Sequence, residues 1–294
     1  MNAAAETADA VTVVVLTYNR RQELERCLHR LTALPENPPI IVVDNGSSDD
    51  TVQFVRRHPQ VRLVQSPSNK GAAGRNLGVE QVTTPFVAFS DDDTWWAPGS
   101  LKRAAAILQN NPKLAVLSAR ILVEPDQRLD PACNIMQASP LPEVEGVGPM
   151  LTGFMAGANI MRTEAFRQCG GYWPPFFIGG EEALLAMDIL EAGWRIAYAP
   201  ALLVHHRPSL NRDSTLRRRL VARNAIWTAC LRLPWPVAAR RIRDVLSQLD
   251  GAERGQVLAA TVRHMPRLLR ARQVVGLTTL TMLQAVWKAE IAAC

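Results

Sequence analysis

The chain has 294 residues, 48% hydrophobic and 20% charged, with a net charge of +6 at pH 7, the balance of a soluble globular protein with one large or two small domains. Its five cysteines include no CxxC pair, which argues against a disulfide framework or zinc site and for reduced thiols in a cytosolic protein. Met1–Ala10 lacks the basic and apolar regions of a secretory signal, and no apolar run approaches the ~18–20 residues that span a bilayer.

Val11–Leu16 is β-branched and apolar, the pattern of a buried strand, and runs into Thr17-Tyr18-Asn19-Arg20. Leu24, Cys27, Leu28 and Leu31 then recur at helical spacing until Pro35, Pro38 and Pro39. The strand Ile40–Val43 leads into Asp44-Asn45-Gly46-Ser47-Ser48-Asp49-Asp50-Thr51, a polar turn with Ser48 or Asp49 as a cap for a helix over 51–57. A third strand over 61–64 is followed by Asn69-Lys70-Gly71-Ala72-Ala73-Gly74-Arg75, a helix start whose small residues admit close approach.

The fourth strand, Phe86–Phe89, delivers Asp91-Asp92-Asp93 to its C-terminal end, where ligands bind in open α/β sheets. Three adjacent anions are tolerable if a divalent cation or a set of donors compensates them. Carboxylate oxygens suit Mg²⁺ or Mn²⁺ bridging to substrate phosphates. The competing reading is a solvated acidic turn that caps the next helix, which Pro98 opens. Four strand–helix alternations imply a parallel, Rossmann-like sheet, so Thr17–Asn19, Asp44 and Asp91–Asp93 share one edge. No GxGxxG follows the first strand and no GxxxxGK[ST] occurs, which disfavours a dinucleotide dehydrogenase or P-loop NTPase.

A strand is expected over 114–122, a long loop or small excursion over 123–150, and a strand over 151–161. An aromatic loop with Tyr172, Trp173, Phe176 and Phe177 carries Glu181-Glu182 to a helix over 183–192, where acids also suit the helix terminus. Extended pieces over 194–198 and 201–204 end at His205-His206, a pair that metal ligation or simple packing would explain.

Together these residues resemble the inverting family 2 glycosyltransferases of GT-A fold, over about residues 11–210. The resemblance rests on the TYN strand end, the VDNGSSDDT run from Val43, NKGAAGRNLG from Asn69, the DDD, the GGEE at Gly179–Glu182 and the HH. It implies an α/β fold with a mixed, mostly parallel GT-A sheet flanked by helices, followed by a C-terminal helical segment. Residues 10–120 would form the nucleotide-sugar-binding half, 121–210 the acceptor and catalytic half, and 211–294 a basic helical region. It assigns Thr17, Tyr18, Asn19, Asp44, Lys70, Arg75, Asp91 and Asp92 to a nucleotide-diphosphate sugar, with Tyr18 stacked on the base. Asp91, Asp93 and His206 would hold Mg²⁺ or Mn²⁺, with His205 the alternative to His206. Glu182 or Glu181 would be the catalytic base, where many members have Glu-Asp. The aromatic loop would face a hydroxyl acceptor: a glycan, glycolipid or small molecule. Two other readings compete: a non-catalytic sugar-nucleotide-binding protein of the same fold, and a sugar nucleotidyltransferase, which the absence of a glycine-rich basic loop at Thr17–Arg21 disfavours.

Charge is unevenly placed: +11 from Arg207 onward and −5 before it. In the tail, Ile242, Val245, Leu246 and Leu249 give one apolar face, and Leu258, Val262, Met265 and Leu269 another. Three readings stay open. The helices cap the catalytic domain, or rest on the inner face of an anionic membrane, or meet a phosphate-rich partner or second copy. Nucleic acid is disfavoured, because no basic–aromatic interleaving is present.

Overall fold

A computed structural model describes residues 10–208 and 214–293. The stretch before Ala10, the expected boundary between residues 210 and 211, and Cys294 lie outside the described residues. The first part alternates as the apolar runs predict: β1 (Val11–Thr17), α1 (Arg21–Thr32), β2 (Ile40–Asp44), α2 (Thr51–Arg56), β3 (Val61–Gln65), α3 (Gly74–Glu80) and β4 (Phe86–Asp91). Val13, Val14, Val15, Val42 and Val43 have no exposed surface, as strands covered on both faces require. α1 buries Leu24, Cys27, Leu28 and Leu31 against this sheet, the stripe its helical spacing sets.

β5 (Thr94–Trp96) turns back from β4, and α4 (Ser100–Asn110) leads to β6 (Leu114–Val123). The stretch 123–150 is more structured than a loop: it holds β7 (Arg128–Leu129), α5 (Pro131–Gln137), β8 (Glu143–Val144) and the start of β9 (Gly148–Leu151). Its strands are short edge pieces, which is why no sustained alternation marks them. The single strand expected over 151–161 is two, β9 and β10 (Ala158–Arg162). α6 (Thr163–Gln168) and α7 (Glu181–Glu191) follow. The two extended pieces beyond them form one strand, β11 (Arg195–His206), whose register shifts between Ala199 and Leu203. Pro200 falls within that shift, where a missing N–H costs no ladder bond.

The strand order is β3-β2-β1-β4-β10-β6-β11-β9-β8, with β5 on β11 and β7 on β6. β3, β2, β1 and β4 pair in parallel, as do β6 and β11, while β10 is antiparallel to both β4 and β6. The long strands on either side of β10 therefore share one direction. This is a mixed, mostly parallel sheet flanked by helices, and β6 carries it through residue 120 without a break. In register, Thr17 lies opposite Asp44 and Leu16 opposite Asp91. At the other end of the site, β5 sets Thr94 opposite His206.

The chain closes with α8 (Ser214–Arg232), α9 (Trp235–Ser247), α10 (Gly251–Arg270) and α11 (Leu277–Ala293). α8 buries Ile226, Trp227 and Leu231 in a core shared with Phe176, Leu184, Val257 and Leu268. On α10 the buried face differs from the apolar stripe of the sequence. Val257, Thr261 and Leu268 are buried, while Leu258, Val262 and Leu269 are 39%, 69% and 52% exposed. Polar anchors turn the helix: Trp227 Nε1 donates to Thr261 Oγ1 at 3.0 Å, and Arg218 pairs with buried Glu253. Among the described residues no helix is long and apolar enough to cross a membrane.

Candidate active site

A cavity of about 610 Å³ opens along the C-terminal ends of β1 and β4. Three distant parts of the chain line it: residues from Leu16 to Thr94, from Ile121 to Glu182, and from His206 to Val221. The parallel register of β1, β2 and β4 fixes its floor, and the β5–β11 pairing brings the late histidine to the early acids.

The three aspartates are each compensated differently. Asp92 is buried and accepts from Thr17 Oγ1 at 3.0 Å and from Arg20 Nη1 at 3.2 Å. Burial nevertheless pushes its carboxyl up to about 7, against the pull of Arg20. Asp93 meets Arg20 Nη1 at 3.4 Å and His206 Nε2 at 3.7 Å. Asp91 pairs with Arg75, a buried guanidinium. Burial works against the Arg75 charge, but Asp91 together with Tyr172, Glu181 and Glu182 holds Arg75 above the usual arginine range. Gly157 packs against this pair, since a Cβ there would lie 2.6 Å from Asp91 Oδ2.

Glu181 and Glu182 line the same cavity, in the first turn of α7. Gly180, at φ +77°, precedes them, a conformation that favours glycine. Glu181 is buried and its Oε2 has no hydrogen-bond partner. Burial raises its carboxyl above the ordinary range, with Arg75 opposing. Glu182 is half-buried, and burial followed by the Glu181 charge pushes its carboxyl up to about 8. A carboxyl poised near neutrality can take a proton and release it.

Thr17, Tyr18, Arg75, Asp91, Asp92, Asp93, Glu181, Glu182 and His206 all line this one cavity. Tyr18 is 42% exposed, so a ring face is open to a ligand. Asn19, Asp44 and Lys70 do not line it; they shape its rim. Asn19, at φ +52°, accepts from Ser48 N, Asp44 accepts from Ser47 N, and Lys70 N donates to Asn45 Oδ1. Of the four loop aromatics only Phe177 lines the cavity. Tyr172 is fully buried edge-on to Phe89 and Phe166, and Trp173 and Phe176 pack on each other and on Trp227. Aromatic bulk there fills the core under the loop. His205 points away from the acids: its Nδ1 meets Glu124 Oε1 at 2.7 Å and its ring stacks on Trp95. The sequence reading gave no role to Arg20, Asn45 or Arg217, all of which line the cavity. An arginine two residues past a strand-end tyrosine, beside an acid triplet, was the available signal for Arg20.

Among the described residues, no three His, Cys, Asp or Glu side chains converge as a metal-holding cluster. The fit to a divalent cation is a pair, Asp93 with His206, because Asp91 is turned to Arg75. One carboxylate and one imidazole suit an ion whose remaining positions go to water and substrate phosphates.

An open α/β sheet with two acid groups in one cavity matches a known class. The model of Glycosyl transferase family 2 matches residues 12–173, more than half the chain, and the protein belongs to that family as a glycosyltransferase. Its relatives include the N-acetylglucosaminyl-diphospho-decaprenol L-rhamnosyltransferase of Mycobacterium tuberculosis, 28% identical over 70% of this chain and 79% of the relative. The pre-mycofactocin glycosyltransferase of the same organism is 34% identical over 67% of this chain, which spans 42% of that relative. Among solved structures, the mannosyltransferase PcManGT from Pyrobaculum calidifontis, in complex with GDP-Man and Mn2+, superposes with a TM-score of 0.58. It is 18% identical, and the match covers 96% of this chain and 87% of that one. S. aureus TarS 1–349 in complex with UDP-GlcNAc also gives 0.58, at 20% identity, over 87% of this chain and 72% of its own. These likenesses establish a GT-A fold.

Proposed function

We propose that the cavity binds a nucleoside-diphosphate sugar and transfers the sugar, with inversion, to a hydroxyl acceptor. The observation that carries this reading is the gathering of two acid groups from distant parts of the chain into one cavity: Asp91–Asp93 with His206, and Glu181–Glu182. Tyr18 stacks on the base, and Thr17, Asp91 and Asp92 meet the sugar nucleotide. Arg75 holds Asp91 in place. Asp93 and His206 would hold Mg²⁺ or Mn²⁺, which supplies charge neutralisation for the departing diphosphate. Glu182 accepts the acceptor hydroxyl proton as the new glycosidic bond forms and the bond to the diphosphate breaks. Glu181 keeps the Glu182 carboxyl basic enough to do so by like-charge repulsion.

The acceptor side is amphiphilic. Phe177, Ile178, Leu216, Leu220 and Val221 give it an apolar wall, and Arg217 adds a cation. This suits a glycolipid with an anionic linker, the chemistry carried in the name of the M. tuberculosis rhamnosyltransferase. The exposed stripe of α10 supports the same setting. Leu258, Val262 and Leu269 fall on one helical face, flanked on the wheel by Arg254 on one side and by Arg263 and Arg270 on the other. That face rests on an anionic membrane surface, where Val262→Glu would release the protein from phosphatidylglycerol vesicles in co-sedimentation.

The test of the reaction is product identity across a panel of nucleotide sugars with Mn²⁺ and a polyprenyl-diphosphate sugar as acceptor. Release of nucleoside diphosphate together with a glycosylated polyprenyl-diphosphate sugar is expected. Release of pyrophosphate would mark a nucleotidyltransferase, and binding without turnover a non-catalytic relative.

A further inference from the structure

Beyond residue 173, where the family match ends, the chain still has to place Glu181 and Glu182. The loop that carries them is irregular and held from two sides. On one side Ala72 N donates to the Phe177 carbonyl at 2.6 Å, and a Cβ at Gly71 would collide with that same carbonyl. Phe177 itself sits at φ +63°, a backbone region that a side chain disfavours. Such a peptide persists only where its surroundings over-determine it.

The other side is supplied by α8. Asn224 has no exposed surface. Its Nδ2 lies 3.0 Å from the Phe176 carbonyl, 3.2 Å from that of Ile178 and 2.7 Å from that of Gly179. Its Oδ1 accepts from Arg223 Nε at 3.0 Å and Nη2 at 2.8 Å. The amide orientation is thereby forced: donors must face the carbonyls, and the acceptor must face the guanidinium. Arg223 Nη2 also donates to the Phe176 carbonyl at 2.7 Å, and its guanidinium lies 4.4 Å over the Trp227 ring. Around this amide the surface is apolar, with Phe176, Ile226 and Trp227 in one core. A buried amide among such neighbours destabilises unless every polar atom is met, and here the partners are backbone carbonyls of the residues just before Glu181. Packing alone would be served by an aliphatic residue.

We infer that Asn224 is a positioning residue for the glutamate pair, fixing the 176–180 backbone so that α7 starts with both acids turned into the cavity. The C-terminal helices are then part of the catalytic apparatus. The inference rests on the reading of Glu182 as base, and it has its own readout. Asn224→Asp keeps the size and the Arg223 partner but puts an oxygen against three carbonyl oxygens. Asn224→Ala removes the amide altogether.

Hydrogen exchange, nucleotide binding and turnover are to be compared in the full chain. In Asn224→Asp, amides over 176–183 should exchange about tenfold faster or more while those of β1 and β4 keep their rates. Nucleoside-diphosphate release from whichever donor the wild type accepts should fall by about 10²-fold, the scale of a displaced catalytic group. Affinity for UDP or GDP with Mn²⁺ should stay unchanged. Unchanged exchange over 176–183, faster exchange everywhere, or a loss of affinity equal to the loss of turnover would each overturn the inference. Asn224→Ala should share the pattern; if it fails to fold, the Asp variant decides. A wild type that turns over no donor would refute the transferase chemistry, and the exchange comparison would still judge Asn224.

Discussion

Two acid groups line one cavity, and the protein surrounds them with different partners. Each aspartate meets a cation or a donor: Asp91 has Arg75, Asp92 has Arg20 and Thr17, and Asp93 has Arg20 and His206. The Glu181 carboxyl meets the backbone at Gly179 and Glu181, and the Glu182 carboxyl meets its own backbone. Arg75 lowers both, yet burial dominates, and Glu181 leaves a carboxylate oxygen without a partner. The first group is held in place by these partners, although burial still pushes the Asp92 carboxyl up to about 7. The second is built to change its proton count. Environment, not residue type, separates the roles.

The sharpest way to break this contrast is Glu182→Gln. Nucleoside-diphosphate release should fall by about 10²–10⁴-fold, with nucleotide affinity by calorimetry unchanged. If Glu181→Gln carries that loss instead, the base is reassigned. In the aspartate group, Asp93→Ala should weaken Mn²⁺-dependent nucleotide binding by at least the roughly 10–100-fold that loss of even an outer-shell metal partner costs. Equal affinity in the presence of a chelator would refute that role.

The pH profile sharpens the comparison further. A base must be unprotonated, so kcat/KM should climb with pH and level off above about 8, where the Glu182 carboxyl is placed. Glu181→Gln removes a repelling charge, which moves the limb to lower pH. Stability runs the other way. A carboxyl raised from 4.5 to about 8 in the fold contributes stability that is complete below the ordinary range and lost as pH rises through 8. The melting temperature of Glu182→Gln should therefore exceed that of the wild type above pH 8 and match it at pH 4. The smallest effect is expected at Tyr18. Its ring is 42% exposed, so Tyr18→Ala should raise the donor KM by only the low end of base stacking, about 1 kcal/mol or roughly fivefold.

The β-branched runs were enough to place β1 to β4, because strands buried on both faces need continuous apolar sequence. The shared edge of Thr17, Asp44 and Asp91 followed from parallel direction alone. A strand was expected where β10 lies, but its antiparallel place between β4 and β6 could not be read, since pairing partners are set by the whole sheet and not by local pattern. On α10 both the Leu258 stripe and the Val257 stripe obey helical spacing. The buried one was chosen by contacts to Thr261 and Glu253, two polar residues that a hydrophobic pattern discards. Trp173 and Phe176 suited a sugar face on chemistry, but Trp227, some 50 residues away, claims them for the core. Asn224 carries no signal in one sequence. An amide inside an apolar helix earns meaning only when the carbonyls opposite it are seen.

The wall that α8 contributes has a bearing on synthesis. Leu216, Arg217, Leu220 and Val221 complete a crevice whose first residues were made some 200 positions earlier. A growing chain can fold its sheet as it leaves the ribosome, because domains form as units from the N-terminal side. Until α8 emerges, the peptide before Glu181 lacks its grip. The sheet is therefore made well before the segment that completes the crevice, and the last helices must be synthesised before the site is whole.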